Sequence, residues 1–115
     1  MAAIARIAEP LPLDVAGIVH EIMRPRLGAI EAGEYPADIL RALGAAGAYG
    51  HHADGTEAGL LAAIDAMAEA GQACLSTAFC MWCQDALVWY LAQGDEAGPR
   101  RHLAAIASGA ALGGT

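Results

Sequence analysis

The chain has 115 residues and a formal net charge of −7, a length that suits one compact domain with a moderate core. Its cations are six arginines with no lysine, so there is no basic stripe for a phosphate backbone and no polybasic membrane patch, and nucleic acid is excluded as a partner class. Hydrophobic residues make up 57% and alanine fills 29 positions; with the best helix former so abundant, the composition predicts an all-α fold.

Residues 1–12 form an apolar, proline-marked lead-in. Glu9, Pro10, Pro12 and Asp14 interrupt any export-signal core, so the expected location is the cytoplasm, and three cysteines read as free thiols. Asp14 is placed to cap a first helix carrying Val15, Ile18, Val19 and Ile22, which Pro25 should kink or break before it continues through Leu27 and Ile30 to Gly33. A short second helix opens at Pro36, carries Ile39, Leu40 and Leu43, and is weakened and ended by Gly44 and Gly47. A loop from Ala48 to Gly55 follows. Asp54 and Glu57 have the spacing of a capping box for a third helix. Its apolar stripe would be Leu60, Leu61, Ile64, Met67 and Ala68, with Asp65 and Glu69 on the other side and Gly71 as its stop.

Ala73 to Gln93 is the longest and most apolar segment. Its hydrophobic residues surround the axis, which predicts a helix buried in the middle of a bundle. Gln84 and Asp85 fall at its centre, and a central aspartate costs about 2.5 to 3.5 kcal/mol on the insertion scale, so a membrane span is not expected. Gly94 ends it, and Pro99 opens a last helix with Leu103, Ala104 and Ile106. Arg100 and Arg101 oppose that helix's dipole, which points to solvent or an acidic neighbour. The tail Ser108 to Thr115 reads as a helix closure followed by the beginning of an apolar, glycine-rich strand.

Four features could carry chemistry. Cys80-Met81-Trp82-Cys83 has redox-motif spacing, but it lies inside a helix, so two small buried hydrophobes are the better reading. The same cysteines with His51 and His52 could make a zinc set. Adjacent histidines tend to point apart, however, and a solvated loop accounts for them better. Asp85, beside Gln84, must face water, a partner chain or a ligand cavity, because an unpartnered buried carboxylate is costly, and a capping or inter-helix hydrogen bond is the simpler reading. Gly113, Gly114 and Thr115 could bring backbone amides close to a flat or anionic ligand.

Tyr35-Pro36, the run Leu40-x-x-Leu43-Gly44-Ala45-Ala46-Gly47-Ala48-Tyr49-Gly50, the helix around Glu69, the long helix closing at Gly94 and His102 to Gly109 follow one another in a familiar order. From Tyr35 onward the chain resembles the amino-terminal helical domain of acyl-CoA dehydrogenases. The resemblance implies an up-and-down bundle of about five helices over residues 13–109, with 110–115 opening a β-domain. It also implies an FAD-dependent oxidoreductase acting on the CH–CH bond of an acyl-CoA or related thioester, with its catalytic glutamate in a carboxy-terminal domain, so no catalytic base is assigned. Homo-oligomerisation through that domain is implied as well.

By the same resemblance, Leu112, Gly114 and Thr115 match the strand that approaches the flavin, leaving backbone contacts where several members have a tyrosine and a valine. Ala78, Met81, Trp82 and Asp85 match turns of the long helix that line the acyl pocket. A carboxylate there would disfavour a plain fatty chain and favour a polar or shortened substrate. The fragment alone should be inactive. Two alternatives stay open: a stand-alone helical interaction or dimerisation module, which would have polar exposed faces, and a zinc or thiol regulator built on Cys80 and Cys83. A domain normally covered by partners would instead expose an apolar patch.

Overall fold

The computed structural model describes residues 13–114, and these are all-α, with no strand among them. The lead-in 1–12 and Thr115 lie outside the described residues. Asp14 caps the first helical run as its sequence position requires, its Oδ1 accepting from the Gly17 amide at 2.8 Å. That run, α1, spans 15–31 and is not broken at Pro25. It passes from Val15–Gly17 into a π-helical stretch Ile18–Met23, then a 3-10 turn Arg24–Arg26, then Leu27–Glu31. Proline lacks an amide hydrogen and crowds the carbonyl four residues back; the wider π turn, in which Arg24 N bonds Val19 O, relieves that crowding and keeps the helix continuous.

Helix α2, Ala37–Ala45, buries Ile39, Leu40 and Leu43. Gly44 does not end it. That residue sits inside the helix where the chain at Gly109 crosses it, and a Cβ on Gly44 would stand 2.5 Å from the Gly109 Cα. Gly47 does the ending: at φ +89° it turns the chain so that its own amide bonds Gly44 O and the Ala48 amide bonds Leu43 O. Tyr49 follows, fully buried, with its hydroxyl donating to Leu40 O at 2.7 Å. Burial, and then the charge of Asp85, push its phenol pKa up.

A 3-10 turn, His51–Asp54, leads into α3, Glu57–Gly71. The cap of α3 is Thr56 and not Asp54. Thr56 Oγ1 accepts from the Gly59 amide at 3.0 Å, while Asp54 Oδ1 accepts from both the amide and the hydroxyl of Thr56. The expected apolar stripe of α3 is turned outward: Leu60, Leu61 and Ile64 are exposed, and Gly59, Ala63, Ala66 and Ala70 face the interior. Small residues allow α1, the turn and α4 to approach closely, and the larger aliphatics are left for the outer face.

Helix α4, Leu75–Gln93, also departs from the sequence expectation. Its buried stripe is Thr77, Met81, Gln84, Asp85 and Val88, while Leu75, Phe79, Trp82, Trp89 and Tyr90 are exposed. Three polar residues point in and four aromatic ones point out, so α4 packs through one side only. Short helices α5, Ala97–Arg100, and α6, Leu103–Ala107, complete the fold. Arg100 explains its own placement: its Nη1 donates to Ala92 O and Gly94 O, the free carbonyls at the end of α4. The core joins Val19 and Met23 of α1, Leu43 of α2, Ala70 of α3, Met81 and Val88 of α4 and Ile106 of α6. No helix among the described residues is long and apolar enough to cross a membrane.

Candidate functional site: a cleft between the histidine turn and α4

The inverted facing of α3 and α4 opens a cleft of about 680 Å³ between them, closed at one end by the 3-10 turn. Leu60, Ile64 and Met67 of α3 form one wall, and Trp82, Trp89 and Tyr90 of α4 form the other. At its inner end lie His52 and Asp85, 5% and 4% exposed. Such a space, apolar along its length with a few polar groups at one end, has the usual make-up of a small-molecule site.

His52 is held from three directions. Its ring stacks on Trp89 at 6.0 Å between centroids and 17° between planes. Its Nε2 lies 2.8 Å from the backbone carbonyl of Asp85. A carbonyl only accepts, so Nε2 donates to it and Nδ1 is the ring nitrogen left facing Asp85. The turn itself is pressed against α3 at Gly59, where a Cβ would stand 2.2 Å from His51 O.

Asp85 projects from the inward side of α4 toward the same end of the cleft. Its Oδ1 is 4.0 Å from His52 Nδ1, beyond hydrogen-bond reach, and neither carboxyl oxygen nor Nδ1 has a partner among the described residues. Burial alone pushes the carboxyl pKa from 3.8 up to about 7. Its neighbour Gln84 is fully satisfied: Nε2 donates to Ile106 O and Ala111 O, and Oε1 accepts from the Gly113 amide at 2.8 Å. Two adjacent polar residues on one helix therefore do different work, Gln84 binding the tail and Asp85 facing the cleft.

The structure brings Trp82 and Asp85 to the cleft. Met81 lies one step around the helix in the closed core, and Ala78 faces Gly71 on α3; neither lines the cleft. His52 was expected in a solvated loop, and the structure corrects this: only His51 is exposed. The two rings do point apart, as adjacent histidines should, and on a turn packed against α3 that sends one of them inward.

Among the described residues no three His, Cys, Asp or Glu side chains converge on a point that could hold a metal ion. Cys74, Cys80 and Cys83 are free thiols, and burial raises the Cys80 pKa, which suppresses its thiolate. The tail 110–114 is irregular and lies along α4. Leu112 packs against the core, and Gly114 rests on Cys83, where a Cβ would come within 3.0 Å of the Cys83 Cβ.

The profile of the family described as acyl-CoA dehydrogenase, N-terminal domain, matches residues 13–110, which covers every helix and the whole cleft. The chain belongs to the acyl-CoA dehydrogenase family. No protein of curated function and no solved structure matches it. The resemblance read from Tyr35 onward is thus the right one, and the match extends back through α1. In this acyl-CoA dehydrogenase N-terminal domain the cleft is walled by α3 and α4, with His52 and Asp85 as its buried polar end.

Proposed function

We propose that this domain supplies a wall of the acyl-binding site of an FAD-dependent acyl-CoA dehydrogenase-like oxidoreductase, and that the cleft between the histidine turn, α3 and α4 receives the acyl chain. The observation that carries this reading is the cleft's construction: a largely apolar lining that includes Leu60, Ile64, Met67, Trp82 and Trp89, in a domain of this family. Burying a methylene against such walls is favourable by about 0.8 kcal/mol. The exposed faces of α3 and α4 support the same reading. Leu60, Leu61, Ile64, Leu75, Phe79 and Tyr90 form an apolar surface unlike the polar exterior expected of a self-contained interaction module.

Flavin, when bound, supplies the acceptor for the hydride leaving the β-carbon. The described residues do not fit it as a cradle on their own. The Leu112 side chain is turned to the core and the Gly113 amide is taken by Gln84, which leaves the Gly114 backbone as an exposed edge and Thr115 outside the described residues. The chain's own contribution is therefore to bind and align the acyl group and to exclude water from it. No general base is assigned to Asp85 or His52.

The test is a titration of the 115-residue chain with octanoyl-CoA, following the indole ring signals of Trp82 and Trp89 by NMR, with coenzyme A alone as the control and FAD absorbance in a parallel experiment. The acyl thioester should shift both indoles, coenzyme A should leave them in place, and the flavin spectrum should not change. Indoles indifferent to the acyl chain would refute the pocket reading. Stoichiometric flavin binding would refute the limited role given to the tail.

A further inference from the structure

We infer that the His52–Asp85 pair selects acyl groups whose far end bears a hydrogen-bond donor, a hydroxyl or an amino group, over acyl groups that end in methyl. The inference rests on the acyl-pocket reading above and adds to it the chemistry of the chain's terminus.

Exposure gives the direction of entry. Trp82, Trp89, Tyr90, Leu60 and Ile64 are all partly open to solvent, whereas His52 and Asp85 are almost wholly covered. A chain entering between the aromatic and aliphatic walls leads with its distal end and meets the polar pair last.

The hydrogen-bond inventory gives the chemistry. His52 donates to the Asp85 backbone carbonyl through Nε2, which leaves Nδ1 as its free ring nitrogen. Across from it at 4.0 Å is Asp85 Oδ1, with Oδ2 beside it, and these three atoms have no partner among the described residues. At that spacing the ring nitrogen and the carboxyl do not satisfy each other. A single donor atom seated between them reaches both at ordinary hydrogen-bond length. A hydroxyl donates to the Asp85 carboxylate and can accept from the carboxyl when that group carries its proton; an amino group donates to the carboxylate. A methyl terminus satisfies none of the three atoms, whereas a donor relieves the cost of leaving them buried without a partner, so the methyl-ended chain binds less tightly.

Other polar groups at the cleft do not offer the same recognition. Glu57 and Thr56 sit at the exposed start of α3. Gln84 points to the tail, and the Tyr49 hydroxyl is occupied by Leu40 O.

The test compares two probes with one head group, the N-acetylcysteamine thioesters of octanoic acid and of 8-hydroxyoctanoic acid. Binding is read by quenching of Trp82 and Trp89, the chain's two tryptophans, both of which line the cleft. The hydroxylated probe should bind the wild-type chain about tenfold more tightly or better, the scale of one satisfied buried acceptor. Asp85→Leu should abolish that preference, with His52→Gln as a second variant and circular dichroism as the check that each is folded.

If octanoyl binds and the hydroxylated probe binds no better, the inference is overturned while the acyl-pocket reading stands. If neither probe quenches, both fall. If the preference survives in both folded variants, the donor is read elsewhere and the inference is again overturned.

Discussion

Gly59 shows how a residue with no side chain positions one that has chemistry. A Cβ there would collide with His51 O, so the turn that aims His52 into the cleft can pack on α3 only over a glycine. Gly59→Ala should destabilise the chain by about 1 to 3 kcal/mol, the usual cost of overpacking, and should also weaken the stacking of His52 on Trp89. Chemical denaturation measures the first effect and the chemical shifts of the His52 ring the second.

Asp85 makes a prediction of opposite sign. Its carboxyl is more basic folded than unfolded, so its contribution to stability is fully present below the ordinary value of 3.8 and is lost as pH rises through about 7. His52 from the turn and Glu57 from α3 line the same cleft, and Tyr49 lies behind, so the Asp85 contribution is best isolated as the difference between wild type and Asp85→Asn. That variant should match the wild type near pH 4 and be more stable by about 1 to 3 kcal/mol at pH 8, measured by thermal melts across the range. Asp85 was legible in the sequence as a polar residue that must face water, a partner chain or a ligand cavity, without a choice among them. His52 was not, because histidine in a loop between glycines gives no sign of burial; the tight contact at Gly59 turns it inward, and that contact exists only in three dimensions.

The helices carry a second lesson, about direction. Their order and their stops could be read from Asp14, Gly33, Gly47, Gly71 and Gly94, since caps and turns are local chemistry. The faces could not. In α3 the stripe of Leu60, Leu61 and Ile64 is outward because close packing of the turn and α1 requires Gly59, Ala63, Ala66 and Ala70 inward. In α4, hydrophobic residues all round the axis left no single stripe to follow, and burial was decided by Gln84, whose amide satisfies three backbone groups of the last segment.

That role is testable at the level of the element. Gln84→Leu keeps the volume but orphans the Ala111 carbonyl and the Gly113 amide and leaves the Ile106 carbonyl only the Gly109 amide. It should cost about 1 to 3 kcal/mol and speed hydrogen exchange at Gly113, while the first turns of α3 keep their protection. Unchanged exchange at Gly113 would show that the tail is held by packing on Cys83 and Leu87 instead.

At the scale of the whole molecule, the helices form a bundle that is closed on the side of α1, α2 and α6 and open on the outer faces of α3 and α4. The open side carries the cleft, the aromatic residues and the unpartnered polar pair together. This concentration, in an N-terminal domain of the acyl-CoA dehydrogenase family, is the ground of the acyl-binding proposal. It also accounts for the stray features: the thiols are free, the arginine expected to oppose its helix instead ends that helix and caps α4, and the glycine-rich tail is bound to α4. The most direct measurement is photo-crosslinking of the 115-residue chain with an octanoyl thioester carrying a diazirine near its distal end, mapped by mass spectrometry. The account predicts that the label falls on Trp82, Asp85 or Trp89, or on the turn bearing His52. Labelling confined to the surface of Leu13, Ile22 and Ala46, or spread without preference, would contradict it.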